Sequence, residues 1–275
     1  MTLQMRSALF VPATRPERFA KALAAGADAV IIDLEDAVEP GAKSQARQHV
    51  LEFAQGQPAA IFWVRLNAAA TPWFDDDLAL CRQFGNIGGV LLPKAESAGQ
   101  VVQAMAAGKP VIPLIENARG VIALSEIAAV EGVHCISFGS LDLLLDLGAT
   151  PDTAGAQLLL NQLRCQVLVQ SRVHGLAAPL DGVYPNFADE AGLALLAQQV
   201  RDMGFGGMLC IHPKQIAPIH AAFVPTADQI DWARRVVAIA SNTESFAFKV
   251  DGEMVDLPVI ERARQIIQTT DESGI

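Results

Sequence analysis

Several side chains able to do chemistry stand directly after short apolar runs. Ala29-Val-Ile-Ile leads into Asp33, Glu35 and Asp36, and Ile61-Phe-Trp-Val ends in Arg65 and Asn67. A guanidinium closing a buried run is costly without a partner. Arg65 must therefore face a carboxylate, Asp33 or Glu35, or an oxyanion on a substrate, and one geometry can serve both. Glu116 follows Val111–Ile115, and Asp142 follows the run at Cys135–Ser137. Two neighbouring carboxylates ionise together cheaply only with a cation between them. Oxygen ligation by one or two carboxylates, completed by water and substrate, suits Mg²⁺, and no His/Cys cluster competes for a zinc reading. The same spacing allows Glu116 to pair with Arg119 and Asp142 to cap a helix. Cys210 and His212 lie two apart on one face, with no third group spaced to activate the thiol, so a core cysteine and a hydrogen-bonded histidine are expected. Arg15, Lys94 and Ser140 follow other runs in the same way, as does Asp181-Gly182, which reads as a rim ligand or a tight turn.

The elements that position these residues follow from periodicity. Runs rich in Val, Ile and Leu alternate with amphipathic stretches, the pattern of βα units around a parallel sheet buried on both faces. Strands are expected near Ser7–Val11, Ala29–Asp33, Ile61–Leu66, Gly89–Leu92, Val111–Ile115, Cys135–Ser137, Ala177–Leu180 and Met208–Ile211. Helices are expected near 16–25, 42–54, 75–84, 97–107, 118–129, 155–174, 188–203 and 228–242. Eight such units in about 240 residues fit a closed (β/α)₈ barrel, whose chemistry collects at the C-terminal strand ends. A doubly wound sheet would show fewer strands and a G-x-G-x-x-G turn, which is absent.

The pattern implies a barrel over 1–242 and an extension over 243–275. The extension reads as a hairpin turning at Asp251-Gly252, then a helix entered at Pro258. Its apolar residues, among them Phe246, Phe248, Val250, Met254, Val255, Leu257 and Ile260, need burial on their own barrel or on a neighbouring subunit.

Composition bounds the function classes. Half of the 275 residues are hydrophobic (51%), enough for a large core, and the net charge of −10 without a basic run argues against a nucleic-acid partner. Every apolar stretch is broken before the roughly 18 residues that a membrane-spanning helix needs, so no membrane association is expected. Four dispersed cysteines (Cys81, Cys135, Cys165, Cys210) and the lack of a leading apolar run after Met1 suggest a reduced, cytoplasmic protein.

Several blocks stand in order along nearly the whole chain. They are Arg6-Ser-Ala-Leu-Phe-Val-Pro-Ala-Thr-Arg-Pro-Glu-Arg18, Gly26-Ala-Asp-Ala-Val-Ile-Ile-Asp-Leu-Glu-Asp-Ala-Val38, Val64-Arg-Leu-Asn67 with Thr71-Pro-Trp-Phe74, and Leu92-Pro-Lys-Ala95. Leu114-Ile-Glu-Asn-Ala-Arg-Gly120, Phe138-Gly-Ser-Leu-Asp-Leu143, Ile211-His-Pro-Lys-Gln-Ile216 and Asp251-Gly-Glu-Met-Val-Asp-Leu-Pro258 complete the set. Together, and in this order, they resemble the citrate lyase β-subunit-like proteins of the HpcH/HpaI aldolase/citrate lyase superfamily.

The resemblance implies a Mg²⁺-dependent carbon–carbon lyase that splits a 3-hydroxy-3-carboxyacyl thioester, of the citramalyl, malyl or citryl type, into a 2-oxo acid and an acetyl thioester. It assigns Glu116 and Asp142 to the metal, Arg65 to the thioester, and Phe10, Arg15 and Lys21 to coenzyme A. Asp256 matches an acid lent to an adjacent subunit, which implies a homotrimer or larger ring. Asp33 and Glu35 join Arg65 and Asp256 in the expected catalytic set. Two residues depart from the pattern: Asp36 stands where the related aldolases place histidine after Asp-x-Glu, and Met208 stands where many relatives have lysine. The expected substrate is citramalyl-CoA or a close homologue. The alternatives are a citrate lyase β subunit acting on citryl-acyl carrier protein and a CoA-ester-binding homologue without activity.

Overall fold

The computed structural model describes residues 5–243 and 247–272, with side chains through 268. Phe246, one of the apolar residues of the extension, lies outside the described residues. The chain divides after His220 into two compact units.

In the first unit, eight parallel strands form one sheet: β1 (Ser7–Pro12), β2 (Ala29–Asp33), β3 (Phe62–Arg65), β4 (Ile87–Leu92), β5 (Val111–Ile115), β6 (Ser137–Phe138), β7 (Leu180–Asp181) and β8 (Gly207–Cys210). Their order is β6-β5-β4-β3-β2-β1-β8-β7. Backbone bonds from Ala177 N–H to His134 O and from Leu180 N–H to Ile136 O, each 3.0 Å, join β7 to β6 and close the barrel. The expected eight strands are present. β6 and β7 are only two residues long, and each sits at or just past the C-terminal end of its expected run.

The barrel is filled by inward side chains that include Ile31, Trp63, Leu91, Ile112, Leu114, Leu180 and Leu209. This is the packed interior that such barrels require. Trp63 of β3 pairs in register with Gly89 of β4. A Cβ at Gly89 would stand 2.1 Å from the indole, so only glycine fits beneath that ring.

Helices Lys43–Gly56, Phe74–Gln83, Ala154–Val173 and Glu190–Met203 match expected positions, while the helices after β4 and β5 are each broken into two short pieces. Two further helices were not expected. Ser140–Asp146 lies directly after β6, and Ile216–Ala222 follows β8. Among the described residues, no helix is long and apolar enough to cross a membrane.

In the second unit, helix Ala227–Ala240 packs with strands β9 (Phe248–Val250) and β10 (Glu253–Val255) and with helix Leu257–Glu272. Val236, Val250, Val255 and Ile260 form its core. The hairpin turns at Asp251-Gly252 as expected, with both residues at positive φ. The division after His220 differs from the boundary at 242 read from the sequence, because Ala227–Ala240 shares its apolar face with the tail helix.

Asp181 is neither a rim ligand nor a simple turn residue. Arg164 of helix Ala154–Val173 donates to both of its carboxylate oxygens at 3.0 Å, and both side chains are almost wholly buried. Removing one partner of such a pair strands a buried charge. Arg164→Met is expected to lower unfolding free energy by about 3–5 kcal/mol, read by urea denaturation, and Arg164→Met with Asp181→Leu is expected to recover much of it. A single variant as stable as the parent would show that the pair carries no such load.

Candidate active site

A cavity of about 440 Å³ opens at the C-terminal ends of the strands. Its polar lining comes from Asp33 at the end of β2 and Asp36 after it, Arg65 at the end of β3, Glu116 after β5, and Ser140 and Asp142 after β6. Phe10, Leu114, Phe138, Val183 and Leu209 supply apolar walls. Strand ends scattered over more than 100 residues of sequence thus meet in one place because the barrel brings all of them to one rim.

Arg65 is the fixed cation of this cavity. Its Nε and Nη2 each donate to Asp33 at 2.7 Å, a bidentate fork, and its guanidinium carbon lies 4.9 Å from the centroid of the Phe10 ring. Glu35 Oε2 stands 3.1 Å from Nη1 as an ion pair without hydrogen-bond alignment, and Asp36 lies 3.6 Å away. Burial disfavours the guanidinium charge, but Asp33, then Glu35 and Asp36, raise its pKa well above the ordinary value. The carboxylate pairing read for Arg65 from the sequence is present, and the paired cation also lines the cavity.

Asp33 is fully engaged. Besides Arg65 it accepts the backbone N–H groups of Glu35 at 2.9 Å and Ala37 at 3.2 Å. Burial pushes the Glu35 carboxyl upward, against the pull of Arg65 and Lys94.

Glu116 is buried, and its Oε2 accepts the backbone N–H of Lys94 at 2.8 Å. A Cβ at Gly139 would stand 2.6 Å from Oε1, so the glycine after β6 leaves room for this carboxylate. Burial, and then the like charge of Glu35, push Glu116 up to about 7. Arg119 is not its partner: that side chain is exposed and lies 3.7 Å from Glu96. Asp142 is half-buried in the first turn of helix Ser140–Asp146, whose N-cap Gly139 offers no side-chain bond, so Asp142 is not a cap.

Among the described residues, no group of three or more His, Cys, Asp or Glu side chains converges on a metal position. Glu116 and Asp142 remain as two carboxylates on one cavity, a donor set that fits an oxygen-seeking ion with water in its shell. The raised pKa of Glu116 is the state that a divalent cation would relieve.

Lys21 lines a second cavity of about 340 Å³ together with Phe10, Arg18 and His212. Phe10, Pro12 and Ile211 border both cavities. Arg15 is exposed, pairs with Glu17 at 2.6 Å and lines neither cavity. Asp256 belongs to the second unit, where its carbonyl accepts the N–H of Ile260 at 3.0 Å just before helix Leu257–Glu272. Cys210 is a buried core thiol, and His212 accepts the N–H of Lys214 at 3.2 Å and stacks on Phe187.

Three residues without an expected role support the rim. Lys43 is buried and donates at 2.7 Å to the carbonyls of Leu34 and Glu35, holding the loop after β2. Gln215 accepts from Ile211 N–H and His212 N–H while donating to Tyr184 O, tying the loops after β7 and β8. Lys94 bonds Glu35, Asp36 and Glu116. Only the Lys94 position, directly after an apolar run, carried a signal.

Residues 6–213 match the family model described as HpcH/HpaI aldolase/citrate lyase. A citrate lyase subunit beta-like protein of Mycobacterium tuberculosis is 38% identical over 268 residues, covering 96% of this chain and 95% of that protein. A (3S)-malyl-CoA thioesterase of Cereibacter sphaeroides is 36% identical over 274 residues, covering 95% and 93%. The crystal structure of CitE from M. tuberculosis in complex with magnesium, acetoacetate and coenzyme A superposes with a TM-score of 0.88 at 36% identity, over 98% of this chain and all of that one.

The elevated Glu116 pKa has a consequence for stability. The folded state holds this proton at pH values where the unfolded chain has released it, so without metal the stability falls as pH rises from about 4.5 to about 7. Glu116→Gln removes that cost. With chelator at pH 8 the variant is expected to exceed the parent by on the order of 1–3 kcal/mol, a difference that vanishes at pH 4. Equal denaturation midpoints at both pH values would refute the assignment.

Proposed function

The chain belongs to the HpcH/HpaI aldolase/citrate lyase family, and from that premise we propose that it is a Mg²⁺-dependent carbon–carbon lyase for a 3-hydroxy-3-carboxyacyl-CoA thioester, citramalyl-CoA or a close homologue. The observation that carries this reading is the meeting of the Asp33-held Arg65 with Glu116 and Asp142 on one cavity. In this reading Glu116 and Asp142 hold the Mg²⁺, as the magnesium in the related CitE structure suggests. When bound, the ion supplies a Lewis acid for the carboxylate and tertiary hydroxyl of the substrate.

In the reaction the hydroxyl proton passes to solvent water, from which the acid that later protonates the enolate regains its own, and the oxygen becomes the carbonyl of the 2-oxo acid. The carbon–carbon bonding pair passes to the acetyl thioester as an enolate, which then takes a proton on carbon. Arg65 donates to the thioester oxygen, where negative charge grows only as the bond breaks, so its effect is on kcat. Asp33 and Glu35 act by holding the guanidinium in place. Phe10 and Lys21, with Arg15 nearer the solvent, are assigned to the coenzyme A portion, in keeping with the cavity beside the first. Asp256 is assigned as the acid that protonates the enolate, donated by the extension (243–275) of one subunit to its neighbour in a homotrimer or larger ring.

The competing reading is hydrolysis of the thioester, favoured by the malyl-CoA thioesterase relative. Purified protein assayed with citramalyl-, malyl- and citryl-CoA separates the two, because a lyase releases acetyl-CoA and a thioesterase releases free CoA. Lyase activity is expected to disappear in chelator and return with Mg²⁺. Arg65→Lys keeps the charge but loses the planar fork, and kcat is expected to fall about 10²-fold. Full turnover in chelator, or a lysine variant at parental rate, would overturn the assigned roles.

Donation of Asp256 has its own test. Arg65→Ala and Asp256→Asn are each expected to be nearly inactive. Mixed oligomers of the two refolded in equal amounts are expected to regain about one quarter of sites. Mixed oligomers that stay inactive would rule out donation between subunits.

A further inference from the structure

Lys94 does not itself line the cavity, yet it touches both halves of it. It stands two residues beyond β4, in Leu92-Pro93-Lys94-Ala95, with φ at +50°, a left-handed backbone that few residues other than glycine adopt. The next residue, Ala95, donates its N–H to Leu114 O of β5 at 3.1 Å, so the turn is tied to the neighbouring strand. This turn aims the Lys94 N–H at Glu116 Oε2, 2.8 Å away, while its ammonium reaches back across the rim to Glu35 and, at 3.3 Å, to Asp36. Those are the two carboxylates that share Nη1 of Arg65.

We propose that Lys94 is a positioning residue with two separable devices, a left-handed backbone amide that sets the Glu116 carboxylate and an ammonium that takes up Glu35 and Asp36 so that Arg65 keeps N–H donors for the substrate oxygen. The backbone device matters because Glu116 has a second oxygen that faces the space left by Gly139, and fixing Oε2 decides where Oε1 points. The ammonium device matters because Asp33, Glu35 and Asp36 together place three carboxylates around one guanidinium. Without a second cation, Arg65 would be drawn wholly onto them.

The two devices respond differently to substitution. Lys94→Gly tolerates the left-handed backbone and keeps the N–H, but deletes the ammonium. Lys94→Val deletes the ammonium and also disfavours that backbone, because a β-branched residue is a steric outlier there. Lys94→Arg keeps a cation.

The inference rests on the roles proposed above for Glu116 and Arg65. The experiment measures Mg²⁺ affinity by calorimetry, and kcat and KM with citramalyl-CoA, for the full-length protein and the three variants. Lys94→Gly is expected to bind Mg²⁺ within about threefold of the parent while kcat drops about 10–100-fold with a smaller change in KM, and Lys94→Arg is expected to recover most of kcat. Lys94→Val is expected to lose the same kcat and, in addition, about tenfold in Mg²⁺ affinity. If Lys94→Val does not melt cooperatively, Lys94→Ala takes its place in the same comparison.

Parental kcat in Lys94→Gly overturns the ammonium device. Mg²⁺ affinity equal in the glycine variant and its β-branched counterpart overturns the backbone device. A parent protein that neither binds Mg²⁺ nor cleaves a thioester overturns the parent reading instead. Crystal structures of the two variants then decide Lys94 by itself, with Glu116 retained in the glycine variant and displaced in the other as the supporting result, and Glu116 unmoved in both as the refuting one.

Discussion

A guanidinium held almost out of water by a two-pronged carboxylate is the constraint around which the rim is built. Arg65 cannot shed its charge, and burying a cation without compensation would be prohibitive. Asp33 meets that need from the adjacent strand, where parallel pairing sets Asp33 directly opposite Arg65. The register of β2 against β3 therefore fixes the pair, and the pair in turn rules out any slip of that register.

The remaining charges follow from this one. Asp33 is committed to Arg65 and, through the N–H groups of Glu35 and Ala37, to the loop after β2. Lys43 holds the same loop through the carbonyl oxygens of Leu34 and Glu35 and not through carboxylates. Glu35 and Asp36 then face a guanidinium already paired, and Lys94 meets them from β4. Glu116 is left as a buried carboxylate, and burial, with the like charge of Glu35, raises its pKa to about 7 although it accepts the Lys94 backbone N–H. A buried carboxylate of this kind gives up some stability at pH values above its raised pKa.

Away from the cavity, buried and half-buried charges are paired in ordinary ways. Arg164 and Asp181 neutralise one another below the mouth, and Arg6 and Asp28 do so near the start of β1, where burial would raise Asp28 but hydrogen bonds from Arg6 hold it below the usual carboxylate range. These pairs stabilise strand ends without facing the cavity. Glu116, by contrast, faces the cavity with no cation in direct contact with its carboxylate among the described residues.

The amino-acid sequence determined the number, order and direction of the eight strands, because buried parallel strands read as continuous apolar runs and their ends are marked by the first charge. It also located Arg65, Asp33, Glu35, Glu116 and Asp142, since a charge directly after such a run has to lie on the rim. The tertiary structure alone decided which charges meet. Glu116 is bound by the Lys94 backbone and not by Arg119, Asp181 is claimed by Arg164 from seventeen positions earlier, and Lys43 turns inward from the first turn of an amphipathic helix. Partners of this kind depend on side-chain direction, on left-handed φ at one lysine and on glycines that clear space for a carboxylate, and none of these leaves a periodic trace along the chain. The boundary of the second unit was hidden for the same reason: helix Ala227–Ala240 has the amphipathic period of a barrel helix, and only packing shows that its apolar face meets Val250, Val255 and Ile260.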